Sequence, residues 1–266
     1  MKVREVSCST ALSPSSLPGL DYALNPYRGC SIGCVYCYSP SVLREARPWG
    51  RFVDVKRNIP AVLAKELKRK ERGTVGLGTV TDGYQPLEGR YHLTRYCLEQ
   101  LARHDFPVSI QTKSSLVLKD LDLQRRLPEV EVGVTITTMD EAMRRRFEPF
   151  SSPSARLIEA LRGLNAAGLR TWAFVGPILP GATETTAEAL LRSVRDAGTT
   201  HVMIDRLRYR PGVWERVEDA VRSTTLLPRY AASRDDPRFF EPLEARLLAL
   251  GRELGLRIEF AFPRGW

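Results

Sequence analysis

Three of the chain's five cysteines stand in one short stretch, "NPYRGCSIGCVYCYSP" (25–40). Cys30, Cys34 and Cys37 have the spacing Cys-x3-Cys-x2-Cys. Thiols this close on one loop suit a metal centre, and in a reducing compartment clustered thiols serve metals or redox chemistry rather than structural disulfides. Three is an incomplete set. A closed zinc site needs a fourth donor, and an electron-carrying iron–sulfur cube needs a fourth cysteine. Either another residue completes the site or one position stays open. The other two cysteines offer little. Cys97 falls between Leu93 and Leu101 at four-residue spacing, which reads as a small hydrophobe on a helix's apolar face. Cys8 lies in a polar N-terminal stretch, and His92, His104 and His201 sit at no ligand spacing.

The elements that must position this loop alternate. "DYALNPY" (21–27) reads as a strand that leads directly into the cysteines. A helix follows at 58–73, with Asn58 as its cap and Gly73 as its stop, then a strand at 74–80 and a helix at 92–105. The pattern continues with strand 107–112, helix 116–127, strand 131–138, helix 153–168, strand 169–181, helix 183–198 and strand 200–207. Six β/α steps at a period of roughly 30 residues predict one parallel sheet with crossover helices. The tail adds a helix at 241–255 and a strand at 257–262.

Two strands carry a polar face. "VSIQTK" presents Ser109, Gln111 and Lys113; "VEVGVTITT" presents Glu131, Gly133, Thr135 and Thr137. Parallel strands are usually apolar on both faces, so a polar face predicts a lined cavity. In a β/α barrel the active site lies at the C-terminal ends of the strands, where Asp82, Lys113, Thr137 and Arg206 fall.

The 266 residues carry a formal charge of +9. Such a surface nominates nucleic acid or another anion as a partner, against the plainer alternative of an arginine-rich solvated surface. The apolar fraction of 43% suits a full core. There is no run of about 18 uncharged apolar residues and no apolar signal region at the N-terminus, so the expectation is a cytoplasmic protein without a membrane span.

The loop "GCSIGCVYCY" resembles the signature of the radical S-adenosylmethionine (radical SAM) enzymes, Cys-x3-Cys-x-aromatic-Cys directly after the first strand, with Tyr36 at the aromatic position. That resemblance implies an α/β fold, a partial (β/α)6 TIM-type barrel, spanning residues 21–210 between an N-terminal extension (1–20) and a C-terminal helical and strand extension (211–266). It implies a 4Fe–4S cluster on Cys30, Cys34 and Cys37, with one iron left for S-adenosylmethionine. It also implies an electron donor such as ferredoxin or flavodoxin, and hydrogen abstraction by a 5′-deoxyadenosyl radical.

Further stretches, "GTVTDGYQPLEG" (78–89), "TKSSLVLKDLDL" (112–123), "VTITTMDEAMRRRFEP" (134–149) and "VGPILPG" (175–181), are similar to the branch that contains spore photoproduct lyase. By that resemblance Thr81, Asp82 and Glu88 meet the cofactor's ammonium, and Lys113, with Ser114, meets its carboxylate. Thr135 and Thr137 face the ribose, and Ile178 packs on the adenine. Arg206 and Arg208 are candidates for an anionic substrate. The lyase's hydrogen-donor cysteine near the end of its second strand has no counterpart in "GLGTVTDGY", and Tyr84 stands as an alternative relay. The substrate is left unassigned by the resemblance: a nucleic-acid lesion or modified base is one class, and a small molecule, lipid-linked group or protein side chain another. The contrasting expectation is a non-enzymatic metal module, closed by a fourth ligand such as Cys8.

Overall fold

The structure is a computed structural model that describes residues 1–262. It opens with β1 (Lys2–Val6), β2 (Leu12–Pro14), β3 (Tyr22–Leu24) and β4 (Tyr27–Arg28). The cysteine loop follows and ends in the short helix α1 (Ser39–Val42), with Pro40 in its first turn, where a missing N–H loses nothing. β5 (Phe52–Lys56) pairs in parallel with β1 and antiparallel with β4, forming a three-stranded sheet. Then come α2 (Ile59–Leu67), β6 (Val75–Leu77), α3 (Glu88–Tyr91), α4 (Leu93–Arg103) and β7 (Val108–Thr112). A 3-10 turn over Ser115–Asp120 leads to α5 (Leu121–Gln124), β8 (Val130–Thr135), α6 (Glu141–Phe147), α7 (Ser154–Ala166) and β9 (Arg170–Ile178). The chain ends in α8 (Thr183–Asp196), β10 (His201–Arg206), α9 (Val213–Val221), α10 (Leu227–Asp235), α11 (Glu241–Leu254) and β11 (Arg257–Phe260).

The large sheet runs β2-β3-β6-β7-β8-β9-β10-β11. Every pair from β3 to β11 is parallel, and β2 is antiparallel. The order never reverses, whereas a doubly wound sheet reverses at a switch point. One-way winding leaves the crossover helices on one face and a concave face on the other. The side chains sort accordingly. Val108, Ile110, Val132, Val134, Ala173, Val175, Val202 and Ile204 are buried in the apolar core. Ser109, Gln111, Glu131 and Thr135 occupy the opposite face, where Ser109 Oγ donates to Glu131 (2.8 Å) and Gln111 Nε2 to Thr135 Oγ1 (3.2 Å). Trp172 lies over Gly133 on that face, where any Cβ would collide with the indole. This is the open, barrel-type α/β array expected, with β3 and β6 to β10 as its six strands. Among the described residues no pairing joins β2 to β11.

Several local expectations change. The helix expected over 58–73 ends at Leu67, because "KRKERG" offers no apolar residue to bury. Asn58 does not cap it. Its side chain instead holds the Cys8 backbone in both directions, at 2.8 Å each. The helix expected over 116–127 starts as a 3-10 turn, since Ser114 Oγ accepts from Leu116 N (3.3 Å) and tightens the entry. β1 carries no sequence signal, because its side chains are almost all exposed; it is held by backbone pairing. The expected final strand pairs with β10, and residues 263–266 of the C-terminal extension lie outside the described residues. No described helix is long and apolar enough to cross a membrane.

Candidate active site

The cysteine loop is clamped from three directions. Gly29 turns the chain into it at φ 86°, and a Cβ there would come within 2.5 Å of the Phe52 carbonyl oxygen. The Gly29 carbonyl accepts from Thr81 Oγ1 (2.7 Å), which in turn accepts from Gln85 Nε2 (3.1 Å). Gln85 Oε1 accepts from Ser31 N (2.8 Å), so one fully buried amide ties the β6 loop to the cysteine loop. Behind, Val35 N donates to the Phe147 carbonyl at the end of α6 (3.0 Å). From the C-terminal segment, Arg216 of α9 donates to the carbonyls of Val35 (2.9 Å) and Cys37 (2.7 Å).

The thiols are free of disulfides; Cys30 and Cys34 are buried and Cys37 is partly exposed. Burial pushes the Cys30 thiol up to about 12, aided by Asp82 and Cys37. Burial also raises Cys34, against the pull of Lys113. Burial opposes charge on Lys113, but Cys34, Glu148, Asp82 and Cys37 together outweigh it and hold its ammonium protonated. The Lys113 nitrogen lies 5.7 Å from the centre of the Tyr36 ring, within cation–π range. The Tyr36 hydroxyl donates to Glu148, which also accepts from Thr137 Oγ1 (3.0 Å). Glu148 is 1% exposed, and Arg144 holds its main-chain carbonyl (3.1 Å).

The expected residues divide into two groups. Cys30, Cys34, Cys37, Tyr36, Thr81, Asp82, Lys113 and Thr137 are linked to one another directly or through Glu148 and Gln85. Asp82 is held within the protein: its carboxylate accepts from Tyr84 N and Thr112 Oγ1 on one oxygen and from Lys113 N on the other, each at 2.8 Å. It knots together the ends of β6 and β7. Thr135 pairs with Gln111 on the concave face, and Ile178 is fully buried at the end of β9. Ser114 caps the 3-10 turn.

Four residues stand apart. Tyr84 is buried, with its hydroxyl engaged by Gln124 Nε2 (3.3 Å) and Asp120, outside the group around the thiols. The phenol exposed beside them is Tyr38, which follows Cys37, is 43% exposed and donates to the Thr79 carbonyl. Arg206 points to α11 and pairs with Glu244 (3.1 Å to each oxygen), while Arg208 pairs with Asp205 (3.1 and 2.9 Å). Those ion pairs are partly buried and internal to the protein, Glu244 being almost fully covered.

Glu88 Oε1 accepts from Thr94 N (2.9 Å) and Arg95 N (3.3 Å) at the start of α4, and its Oε2 accepts from the Tyr27 hydroxyl, so both oxygens are engaged within the protein. Burial nevertheless raises it to about 7, against these donors and with Asp120 adding to the shift. Tyr27, Tyr84, Cys97 and Asp120 are the titratable groups that face it. The folded chain therefore holds a proton, between its ordinary value of 4.5 and about 7, that the unfolded chain has released. Stability contributed here is full below that window and falls as pH rises through it. Urea midpoints of wild type and Glu88→Gln between pH 5 and 8 should show the wild-type decline, with a flatter profile for the variant. Parallel profiles would refute this.

Three connecting residues are missing from the sequence expectations. Gln85 lies inside "TDGYQPLE" but shows no spacing signal. Glu148 hides behind the basic run "RRRFEP", and Arg216 sits in the ordinary amphipathic helix "VWERVEDAV".

The donor set fits an iron–sulfur cluster better than a lone ion. Three thiols share one loop, and the adjacent Ser31 Oγ is buried without a hydrogen-bond partner. Among the described residues no three His, Cys, Asp or Glu side chains are arranged around a single metal ion. A cube asks for less convergence, since each thiolate binds a different iron.

Comparison with known proteins agrees. The Radical SAM superfamily model matches residues 24–194. The uncharacterized protein MJ0683 of Methanocaldococcus jannaschii is 33% identical over 183 residues, covering 68% of this chain and 69% of its own. A radical SAM Nalpha-GlyT isomerase of Pseudomonas phage M6 is 25% identical over 182 residues, 67% of this chain and 38% of its own. Spore photoproduct lyase complexed with dinucleoside spore photoproduct shares the fold with a TM-score of 0.74 at 18% identity, over 97% of this chain and 82% of that one. With its cysteine loop set after the first of six parallel strands, this chain belongs to the radical SAM superfamily and is an enzyme of that class.

Proposed function

We propose that Cys30, Cys34 and Cys37 hold a 4Fe–4S cluster and that the concave face of the sheet receives S-adenosylmethionine and a nucleic-acid base. The observation that carries this reading is the set of three clamped, disulfide-free thiols beside a partly buried lysine, Lys113, at the C-terminal ends of the strands. When bound, the cluster supplies the electron that splits the sulfonium into methionine and a 5′-deoxyadenosyl radical. The chain's own residues do the rest. Lys113 supplies a fixed positive charge suited to the cofactor's carboxylate. Glu148 orients Tyr36 and Thr137 around it, and Asp82 anchors the Lys113 backbone. Gln111, Thr135, Phe174 and Met203 line the concave face, the last two as a partly apolar wall that limits water. Thr81 serves the loop rather than the ligand, since its hydroxyl is bonded to Gly29 and Gln85.

A nucleic-acid substrate is supported by the charge of +9 and by the fold shared with a lyase that takes a dinucleoside photoproduct. The absence of a cysteine in 76–84 points to a base reaction other than that lyase's own. The electron donor is a low-potential one-electron carrier of the ferredoxin or flavodoxin kind.

The test is anaerobic reconstitution with iron and sulfide, then dithionite and S-adenosylmethionine, with 5′-deoxyadenosine read by chromatography. Oligonucleotides deuterated at the base should pass deuterium into that product; a chain that releases none of it sinks the reading. Oligonucleotide affinity should also fall about 10²-fold between 50 and 200 mM salt for four phosphate contacts. Salt-independent binding would point to a small-molecule substrate instead.

A further inference from the structure

Arg216 reaches the cysteine loop from α9, 181 residues from Val35 and 179 from Cys37. Its guanidinium is half-buried, and its two hydrogen bonds go to main-chain carbonyls. Among the described residues it forms no ion pair; Cys37 and Glu215 are its titratable neighbours. A partly buried cation bonded only to neutral acceptors is costly unless a negative charge faces it. Neutral thiols do not supply that charge. Three thiolates on iron do, and the charge grows more negative when the cluster accepts an electron. The potential of such a cluster responds to net charge and to the groups around its sulfurs.

We propose that Arg216 is a positioning residue for the loaded loop: its charge favours the one-electron reduced state of the cluster, and its carbonyl bonds couple α9 to that loop. The step is a single electron transfer from an external donor, dithionite or a reduced viologen, to the cluster, and no bond forms or breaks. The proposal rests on the cluster reading above and goes beyond it, because it assigns the C-terminal segment a part in the redox chemistry.

The test compares reconstituted wild type, Arg216→Gln and Arg216→Lys without S-adenosylmethionine, by potentiometric titration followed by electron paramagnetic resonance of the reduced cluster. Arg216→Gln should lower the reduction equilibrium constant about tenfold, a potential about 59 mV more negative for one electron. Arg216→Lys keeps the charge and should recover at least half of that loss. An Arg216→Gln potential equal to wild type would overturn the proposal, as would an Arg216→Lys shift as large as that of Arg216→Gln. A second arm needs no variant. Amide exchange across residues 213–221 should be about tenfold slower in the loaded wild type than after chelation of its iron. Equal exchange overturns the coupling, whether or not the variants load. A wild type that takes up no iron overturns the cluster reading and this proposal with it. A loaded wild type with an unmoved Arg216→Gln potential overturns this proposal alone.

Discussion

Cys34→Ala is expected to abolish reductive cleavage of S-adenosylmethionine, by about 10³-fold or more, and to take the iron with it. The reason is arithmetic in the donor set. The three thiols of one loop are the whole thiol supply near Lys113, and a cube held by two of them loses a corner. Neither remaining cysteine is placed to replace it. Cys97 is fully buried on α4 among Leu98 and Leu101, and Cys8 is held by Asn58 beside the small sheet. The same change at Cys30 or Cys37 should do likewise. Cys97→Ala provides the contrast: it should load iron normally and lose roughly 1–2 kcal/mol of stability to a small cavity. Iron and sulfide per chain, the charge-transfer absorbance and 5′-deoxyadenosine formed under dithionite measure all four. Full iron content in Cys34→Ala would require a different ligand set.

That contrast also shows what a sequence can and cannot carry. Cys97 was legible because burial follows the helical period: Leu93, Cys97 and Leu101 recur every fourth residue and all three are buried. The strands were legible for a similar reason, since Val108, Ile110, Val132 and Val134 alternate with polar residues on the other face. The cysteine loop was legible through its spacing. Roles that depend on what a side chain meets after folding were not. Asp82 and Glu88 both have the chemistry to accept from an ammonium, yet backbone N–H groups of Lys113 and Tyr84 engage the first, and those of Thr94 and Arg95 the second. Tyr84 has a relay's hydroxyl but faces Gln124 and Asp120. Arg206 and Arg208 have a phosphate binder's charge but meet Glu244 and Asp205. For Asp82, Tyr84 and Arg206 the deciding partner (Lys113, Gln124, Glu244) is distant in sequence, and no local pattern encodes it; for Glu88 and Arg208 it is near in sequence, and only the folded turn shows that it is met. Gln85, Glu148 and Arg216 are the converse: unremarkable locally, decisive once the loop, the β6 turn, α6 and α9 converge.

Glu148→Ala is the variant expected to damage the folded chain most without touching a thiol, by about 3 kcal/mol. Its carboxylate is the shared acceptor for Tyr36 and Thr137 and one of the negative neighbours of Lys113. Alanine removes all of this from a place that water does not reach. Two hydroxyls lose their partner, at about 1–3 kcal/mol for each buried group left unsatisfied. Lys113 keeps Cys34, Asp82 and Cys37 as neighbours, but two of those are thiols whose protons must leave before they help. Glu148→Gln keeps an acceptor for the hydroxyls and removes only the charge, so its loss should be the smaller of the two. Thr137→Val removes a single bond and should lose about 1 kcal/mol. The order Glu148→Ala, then Glu148→Gln, then Thr137→Val is therefore the sharp result, read from anaerobic urea unfolding of the iron-free chain. If Glu148→Ala unfolds within about 0.5 kcal/mol of wild type, as an ordinary surface change does, then Tyr36 and Lys113 are held by something else. The positioning ascribed to Glu148 would fall with it.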